Sequence, residues 1–176
     1  MSLEFPAIWE GGFPDREEVV MDLLQPFLDL VGVLDANGDP ILDGGVPRRP
    51  MACTWLPDDF VSRLPLVRVY RGGGAAESVA MKDPANVQVA TIGRTRSESW
   101  ELAEYCRQWM LSFSRGGSVA RADGSTTLID CIEEFIGPQQ LPELSPDSRL
   151  VPLTYRVVCR MPSPRPDYAK VRESLT

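Results

Sequence analysis

Four sets of residues in this chain have types and spacings that could do chemistry. The first is Gly72-Gly73-Gly74, which closes the stretch LPLVRVYRGGG. Glycine-rich backbone after a strand can cradle a phosphate. A P-loop needs Lys and Ser or Thr behind the glycines and then a helix. RGGGAAESVAMKDP offers neither, and no GxGxxG opens a helix anywhere. The glycines therefore read as a positive-φ turn or a close approach between strands. The second set is Asp35, Asn37 and Asp39, spaced like the start of a calcium loop. Its sixth position is Pro40 where glycine is needed, and its twelfth is Val46 where glutamate should stand. With apolar residues on both sides of Asn37-Gly38, the stretch GVLDANGDPIL reads as a hairpin turn.

The third set is the carboxylate pairs Asp58-Asp59 and Glu133-Glu134. Neighbours in a strand point to opposite faces, and acid pairs in loops are ordinarily solvated. The fourth is Cys53, Cys106, Cys131 and Cys159, which are far apart and contain no CxxC pair. The chain has no histidine, so Ser-His and Cys-His nucleophile arrangements are excluded. Reduced, mostly buried thiols are the plain reading. No catalytic residue, cofactor or metal is expected, and the chain does not read as an enzyme.

The elements that must carry these residues follow from periodicity. Asp15, with Glu18 three residues on, starts a helix whose apolar positions are Val19, Val20, Leu23, Leu24, Phe27, Leu28 and Val31. Pro26 predicts a kink or break near Gln25. DGGVPRRP reads as a loop. Leu66–Tyr70 is a short strand ended by the glycines, and ANVQVATI alternates as the next, with Val87, Val89 and Thr91 on one side. Thr95 and Glu98 form a capping box for a helix from Arg96 to about Phe113. Its stripe of Trp100, Ala103, Cys106, Trp109, Met110 and Phe113 predicts the face packed on the sheet.

SRGGSVARADGSTT reads as a mobile connection, and Thr127–Ile136 as a strand with room for a bulge. GPQQLPELSPDSR is a loop. Leu150–Met161 is the last strand, with Leu153, Tyr155, Val157 and Cys159 on one face and Thr154, Arg156, Val158 and Arg160 on the other. The expected fold is a single α+β domain, a mostly antiparallel sheet with helices on one face. Its expected parts are an irregular segment 1–14, the domain 15–162, and a C-terminal tail 163–176.

With 176 residues and 43% apolar content, the chain can bury one core. No stretch approaches the roughly 20 apolar residues of a membrane helix. The acidic start MSLEFPAIWEGG lacks the basic region of a signal peptide, so a cytoplasmic protein with no membrane partner is expected. The net charge of −7 is uneven: residues 1–60 hold twelve acidic and three basic side chains, residues 61–176 thirteen and fifteen. That total argues against gripping DNA by its phosphates. The basic residues are sixteen Arg and two Lys, a bias that a GC-rich genome or an arginine-rich interface would each produce.

From Pro14 to Met161 the segments resemble the tail terminator proteins of long-tailed bacteriophages, also called tail completion or minor tail proteins. The resemblance is carried by PDREEVVMDLLQPFLDLV, LPDDF, LPLVRVYRGGG, ANVQVATI with the long helix after it, LIDCIEEFIGPQQLPE and RLVPLTYRVVCR, in that order. It implies a structural protein that forms a six-membered ring on the head-proximal end of the tail tube. Such a ring stops polymerisation of the major tail protein and offers a docking surface to the head-completion or connector protein. DNA passes through its lumen without specific binding. The implied location is the virion tail, after assembly in the host cytoplasm. The long segment 32–56 and the C-terminal tail depart from smaller members.

A head-closure or head-tail joining protein is the alternative, and a small-molecule binding module or enzyme a further one. Interface positions expected from polar, glycine-rich or arginine-bearing segments are Arg71, Gly72, Gly73, Gly74, Arg115, Arg121, Arg156 and Arg160, with the tail from Ser163 as a further surface.

Overall fold

The computed structural model describes residues 12–77, 82–139 and 149–161, together with Glu4 and Glu173. Most of segment 1–14, nearly all of the tail from 163, and the second half of the GPQQLPE turn lie outside the described residues. The rest forms one α+β domain. A six-stranded sheet in the order β3-β4-β5-β8-β7-β6 packs one face against two helices. Its strands are β3 (Met51–Cys53), β4 (Leu66–Gly74), β5 (Lys82–Ile92), β6 (Gly117–Ala120), β7 (Thr126–Ile136) and β8 (Leu150–Arg160). All neighbours are antiparallel except β3 and β4.

Helix α1 (Arg16–Leu28) begins where the Asp15 carboxylate accepts from the Glu17 backbone N–H at 2.9 Å. Glu18 takes no part in that cap; it pairs with Arg121 instead. Pro26 does not break the helix. It sits in the last turn, where it forfeits only one carbonyl bond, and the helix closes two residues later with Asp29 N–H on Gln25 O at 2.9 Å. Val19, Val20, Leu23, Leu24 and Leu28 are all buried against the sheet, each contributing about 1.5–3 kcal/mol.

Helix α2 (Arg96–Ser112) is capped as expected, with Thr95 Oγ1 accepting from Glu98 N–H. Its buried face is rotated from the predicted stripe. Ser99, Leu102, Ala103, Cys106 and Met110 are buried, Trp109 and Phe113 are half-buried, and Trp100 is 41% exposed. The cause is a lock at the helix start. Ser99 Oγ donates to Arg149 O and accepts from Gly93 N–H, while Ser99 O accepts from Thr91 Oγ1. That fixes Ser99 inward and swings Trp100 to the flank, where the Arg96 guanidinium lies over its ring. Trp109 packs on α1: it stacks on Phe27 with centroids 3.5 Å apart, and the Tyr105 hydroxyl donates to Phe27 O.

The sheet core is the alternating face predicted for β5 and β8. Val87, Val89, Thr91, Leu153, Tyr155, Val157 and Cys159 are all fully buried. Register shifts at Ile129/Cys131 and Glu134/Ile136 supply the bulges of β7. Three segments depart from the sequence reading. DGGVPRRP folds as a tight hairpin, β1 (Leu42–Asp43) against β2 (Val46–Pro47). SRGGSVARADGSTT supplies β6, because Val119 is buried in the core and Arg121 is tied to α1. β4 runs on through the glycines, with a bulge between Arg71 and Gly73. At Gly74 a Cβ would stand 2.3 Å from Pro84 O, so close strand approach demands glycine there.

Arg16 is fully buried at the start of α1. Its guanidinium bonds the Asp83 carboxylate at 3.1 Å, with further donation to Pro14 O at 2.6 Å. Asp83 also takes Arg71 at 3.2 Å. Two other α1 side chains cap strand edges. Gln25 Oε1 accepts from Ala52 N–H of β3 at 2.8 Å, and Glu17 Oε1 accepts from Arg71 N–H of β4 at 2.8 Å.

Candidate interaction surface

Both helices lie on one side of the sheet, so the other side needs a partner or must tolerate water. At the Leu66 end it is roofed by residues 54–65, including a 3-10 turn at Phe60–Arg63. Leu56, Phe60 and Leu64 there pack on Leu66, Ile92 and Leu150. Beyond the roof the face is open. Alternation turns Arg68, Tyr70, Asn86, Gln88, Leu128, Glu133, Phe135, Thr154 and Arg156 outward. Tyr70, Leu128 and Phe135 are 49%, 52% and 67% exposed, which is unusual for large apolar side chains gathered on one surface.

A groove of about 600 Å³ crosses the open face, lined by Gly74–Glu77, Pro84, Asn86, Glu133–Phe135 and Arg156. The open face around it carries the basic side chains Arg68, Lys82, Arg156 and Arg160, with Asp130, Glu133 and the groove-lining Glu77 as acidic ones. Asp130 is held by Lys82 at 2.9 Å and by Arg160. Burial opposes ionisation of Asp130, but those two cations hold its carboxyl below its ordinary value.

The expected interface residues fall into two groups. Arg156 and Arg115 are exposed, Arg156 directly opposite Glu133 in the ladder. Arg71, Arg121 and Arg160 are engaged within the chain. Arg121 is the most enclosed, 8% exposed, with Asp22 at 2.6 Å, Glu18 at 3.1 Å and Thr127 Oγ1 at 3.2 Å. Gly72, Gly73 and Gly74 form the bulged end of β4 beside the groove. The residues that sequence reasoning passed over are the aromatic and aliphatic ones: Tyr70, Leu128, Phe135 and the 78% exposed Trp55. The phase of alternation in β4 and β7 was the signal that could have found them.

The same geometry bears on catalysis. Glu133 faces outward while Glu134 turns to the helix side and accepts from Arg107 of α2 at 2.5 and 3.0 Å. Adjacent in sequence, the two carboxylates do not converge. Asp35 is occupied by its own loop, with Asn37 N–H at 2.8 Å and Asp39 N–H at 2.9 Å on one oxygen; these bonds hold it below its ordinary pKa. Among the described residues no three Cys, Asp or Glu side chains are grouped as metal ligands.

The described residues thus form a one-sided sheet with a mixed apolar and arginine-bearing open face. Compared with protein families, residues 12–166 match the model described as phage tail termination protein. The chain belongs to that family, and it is a bacteriophage tail protein of the virion. A comparison with curated proteins finds no match. Among the described residues no helix is long and apolar enough to cross a membrane.

Proposed function

We propose that this chain caps the head-proximal end of the tail tube as a closed ring, a homo-hexamer, which ends polymerisation of the major tail protein and presents the surface that meets the head-completion or connector protein. The family match across residues 12–166 carries this reading. Physical features agree with it. A ring needs heterologous contacts, in which two different surfaces of one subunit meet those of its neighbours. The domain has such surfaces: an open sheet face and the segment 34–47, exposed except at the partly buried Ile41. DNA passes through the lumen without specific binding, which a net charge of −7 favours. Arg115 and Arg156, both exposed, with Gly72–Gly74 beside the groove, are the proposed interface positions that remain available to a partner. Arg71 and Arg121 are engaged within the chain, and Arg160, exposed on the open face, is paired with Asp130.

The test is electron microscopy of tails assembled with and without the protein. Uniform tails ending in a ring, and over-long tubes in its absence, are the expected result. Tails of normal length without it would overturn the terminator reading and favour the head-joining alternative.

A further inference from the structure

Residues 33–47 are ordered but bury almost nothing. Two nested turns hold them: Asp35 N–H donates to Asp39 O at 2.8 Å, Ile41 N–H to Val33 O at 2.9 Å, and Arg48 N–H to Ile41 O at 2.8 Å. The Arg48 guanidinium clamps both oxygens of Asp43, at 2.7 and 2.9 Å, and reaches Ser62 O at 3.0 Å. Fixing a backbone costs about 1–2 kcal/mol per residue, which burial ordinarily offsets. Here Leu34, Leu42 and Val46 stand 46%, 56% and 66% exposed. The segment also carries three aspartates and no basic residue. It is a preorganised, acidic arm with an aliphatic surface.

We infer that this arm lies on the open sheet face of the next copy of the chain, with Leu42 and Val46 against Tyr70 and Phe135 and its carboxylates toward Arg156. This deepens the ring reading and rests on it. The two surfaces match in kind. The arm is apolar and acidic; the open face exposes Tyr70, Leu128 and Phe135 and the guanidinium-bearing Arg156, and its basic side chains, Arg68, Lys82, Arg156 and Arg160, outnumber the acidic Glu77, Asp130 and Glu133. They also match in placement. The arm leaves the domain beside β3, at one margin of the sheet; of the receiving residues, Tyr70 lies on the neighbouring β4, and Phe135 and Arg156 on β7 and β8 toward the other margin. An arm and a receiving face that are different surfaces of one chain make a head-to-tail contact, the kind that closes rings. Preorganisation lowers the cost of docking, since the arm's turns are already formed.

The contact can be read directly by replacing Leu42 with the photo-crosslinker p-benzoylphenylalanine in the full chain. Equal amounts of isotope-labelled and unlabelled copies are mixed, free at high concentration and on tail tubes, and linked peptides are identified by mass. Links from position 42 to peptides containing Tyr70 or Phe135 of a different copy are expected. Links confined to the same copy, arm-to-arm links, links only to the tube or head protein, or none at all overturn the contact. In parallel, Arg156→Glu should weaken association of copies about tenfold or more. Asp39→Arg in the same chain should restore it, and failure of that rescue counts against the charge pairing. Both sites are exposed, so unchanged urea melts confirm folding. If rings form on tube ends without the cross-link, the ring stands and the arm contact falls. If tails keep normal length without the protein, the ring reading itself falls.

Discussion

Replacing Arg16 with Met should destabilise the domain by about 3 kcal/mol. The side chain is fully buried and its ion-pair partner Asp83 is 4% exposed, so the pair is shielded from solvent and from salt. Arg16 also donates to Asp83 O at 3.3 and 3.4 Å and to Pro14 O at 2.6 Å. Met retains much of the apolar stem, so the change removes charge and donors more than volume. Breaking a buried pair from one side costs about 3–5 kcal/mol, because the other charge is left behind in low dielectric. Here Asp83 keeps Arg71 at 3.2 Å, which places the expected loss at the low end.

In urea, with a slope of about 2 kcal/mol per molar, the midpoint should fall by about 1.5 M. The melting temperature should drop by about 6–12 °C. A double-mutant cycle with Asp83→Asn should give a coupling of about 2 kcal/mol, and Arg16→Met with Asp83→Leu should recover part of the single-variant loss. A loss under about 1 kcal/mol, or coupling near zero, would mean that water reaches this pair and that α1 is not anchored as described.

The rotated face of α2 predicts that Trp109→Ala costs about 2–3 kcal/mol through the lost Phe27 stack, and Trp100→Ala under about 1 kcal/mol; equal losses in urea melts would reject the rotation. The Tyr155 hydroxyl is buried without a partner among the described residues, so Tyr155→Phe should leave stability unchanged or raise it by about 0.5–1 kcal/mol. A drop beyond about 1 kcal/mol would reveal a hidden partner. Burial pushes the Cys106 thiol up to about 12 and Cys159 up to about 11. Alkylation of native protein at about pH 8 should therefore spare both and reach only Cys53 and Cys131, as mass spectrometry would show. At Glu98 burial opposes ionisation, but bonds from the Arg94 guanidinium and N–H hold its pKa below the ordinary 4.5. Its folded value is the lower one, so its stabilisation is complete above 4.5 and disappears as pH falls through the folded value. Glu98→Gln should flatten the acid limb of stability against pH; an unchanged limb would refute the assignment.

The inner face of the sheet was legible in the sequence because β5 and β8 alternate strictly, so Val87, Val89, Leu153 and Val157 announce their side. Thr95 announced the start of α2 by its side-chain chemistry. What was not legible depended on distant partners. β3 is three residues long and is recognisable only beside β4. β6 has one buried apolar residue, Val119, in a glycine- and serine-rich run. The rotation of α2 comes from Ser99 meeting Gly93 and Arg149, the latter 50 residues on. The candidate surface shows the same division. Arg121 reads as free in the sequence, yet its carboxylate partners lie 99 and 103 residues earlier. Residue type predicts a taste for interfaces but not whether the taste is already satisfied inside the domain.

Edge protection bears on how copies of this chain can meet. An exposed strand edge invites pairing that can repeat without limit, a hazard for a protein whose proposed task is to end a polymer. At the β3 and β4 margin α1 meets that hazard with two side chains, Gln25 on Ala52 N–H and Glu17 on Arg71 N–H. At this margin those two donors are already spent. At this margin the proposed contact between copies therefore falls to side-chain surfaces, the open face and the arm. Such surfaces fix an orientation between neighbours through shape and charge, and a fixed rotation that returns to its start after a few copies has no free end on which to add another. In the proposed ring, capping the β3 and β4 margin and exposing the face are two parts of one device, by which copies would associate and then stop.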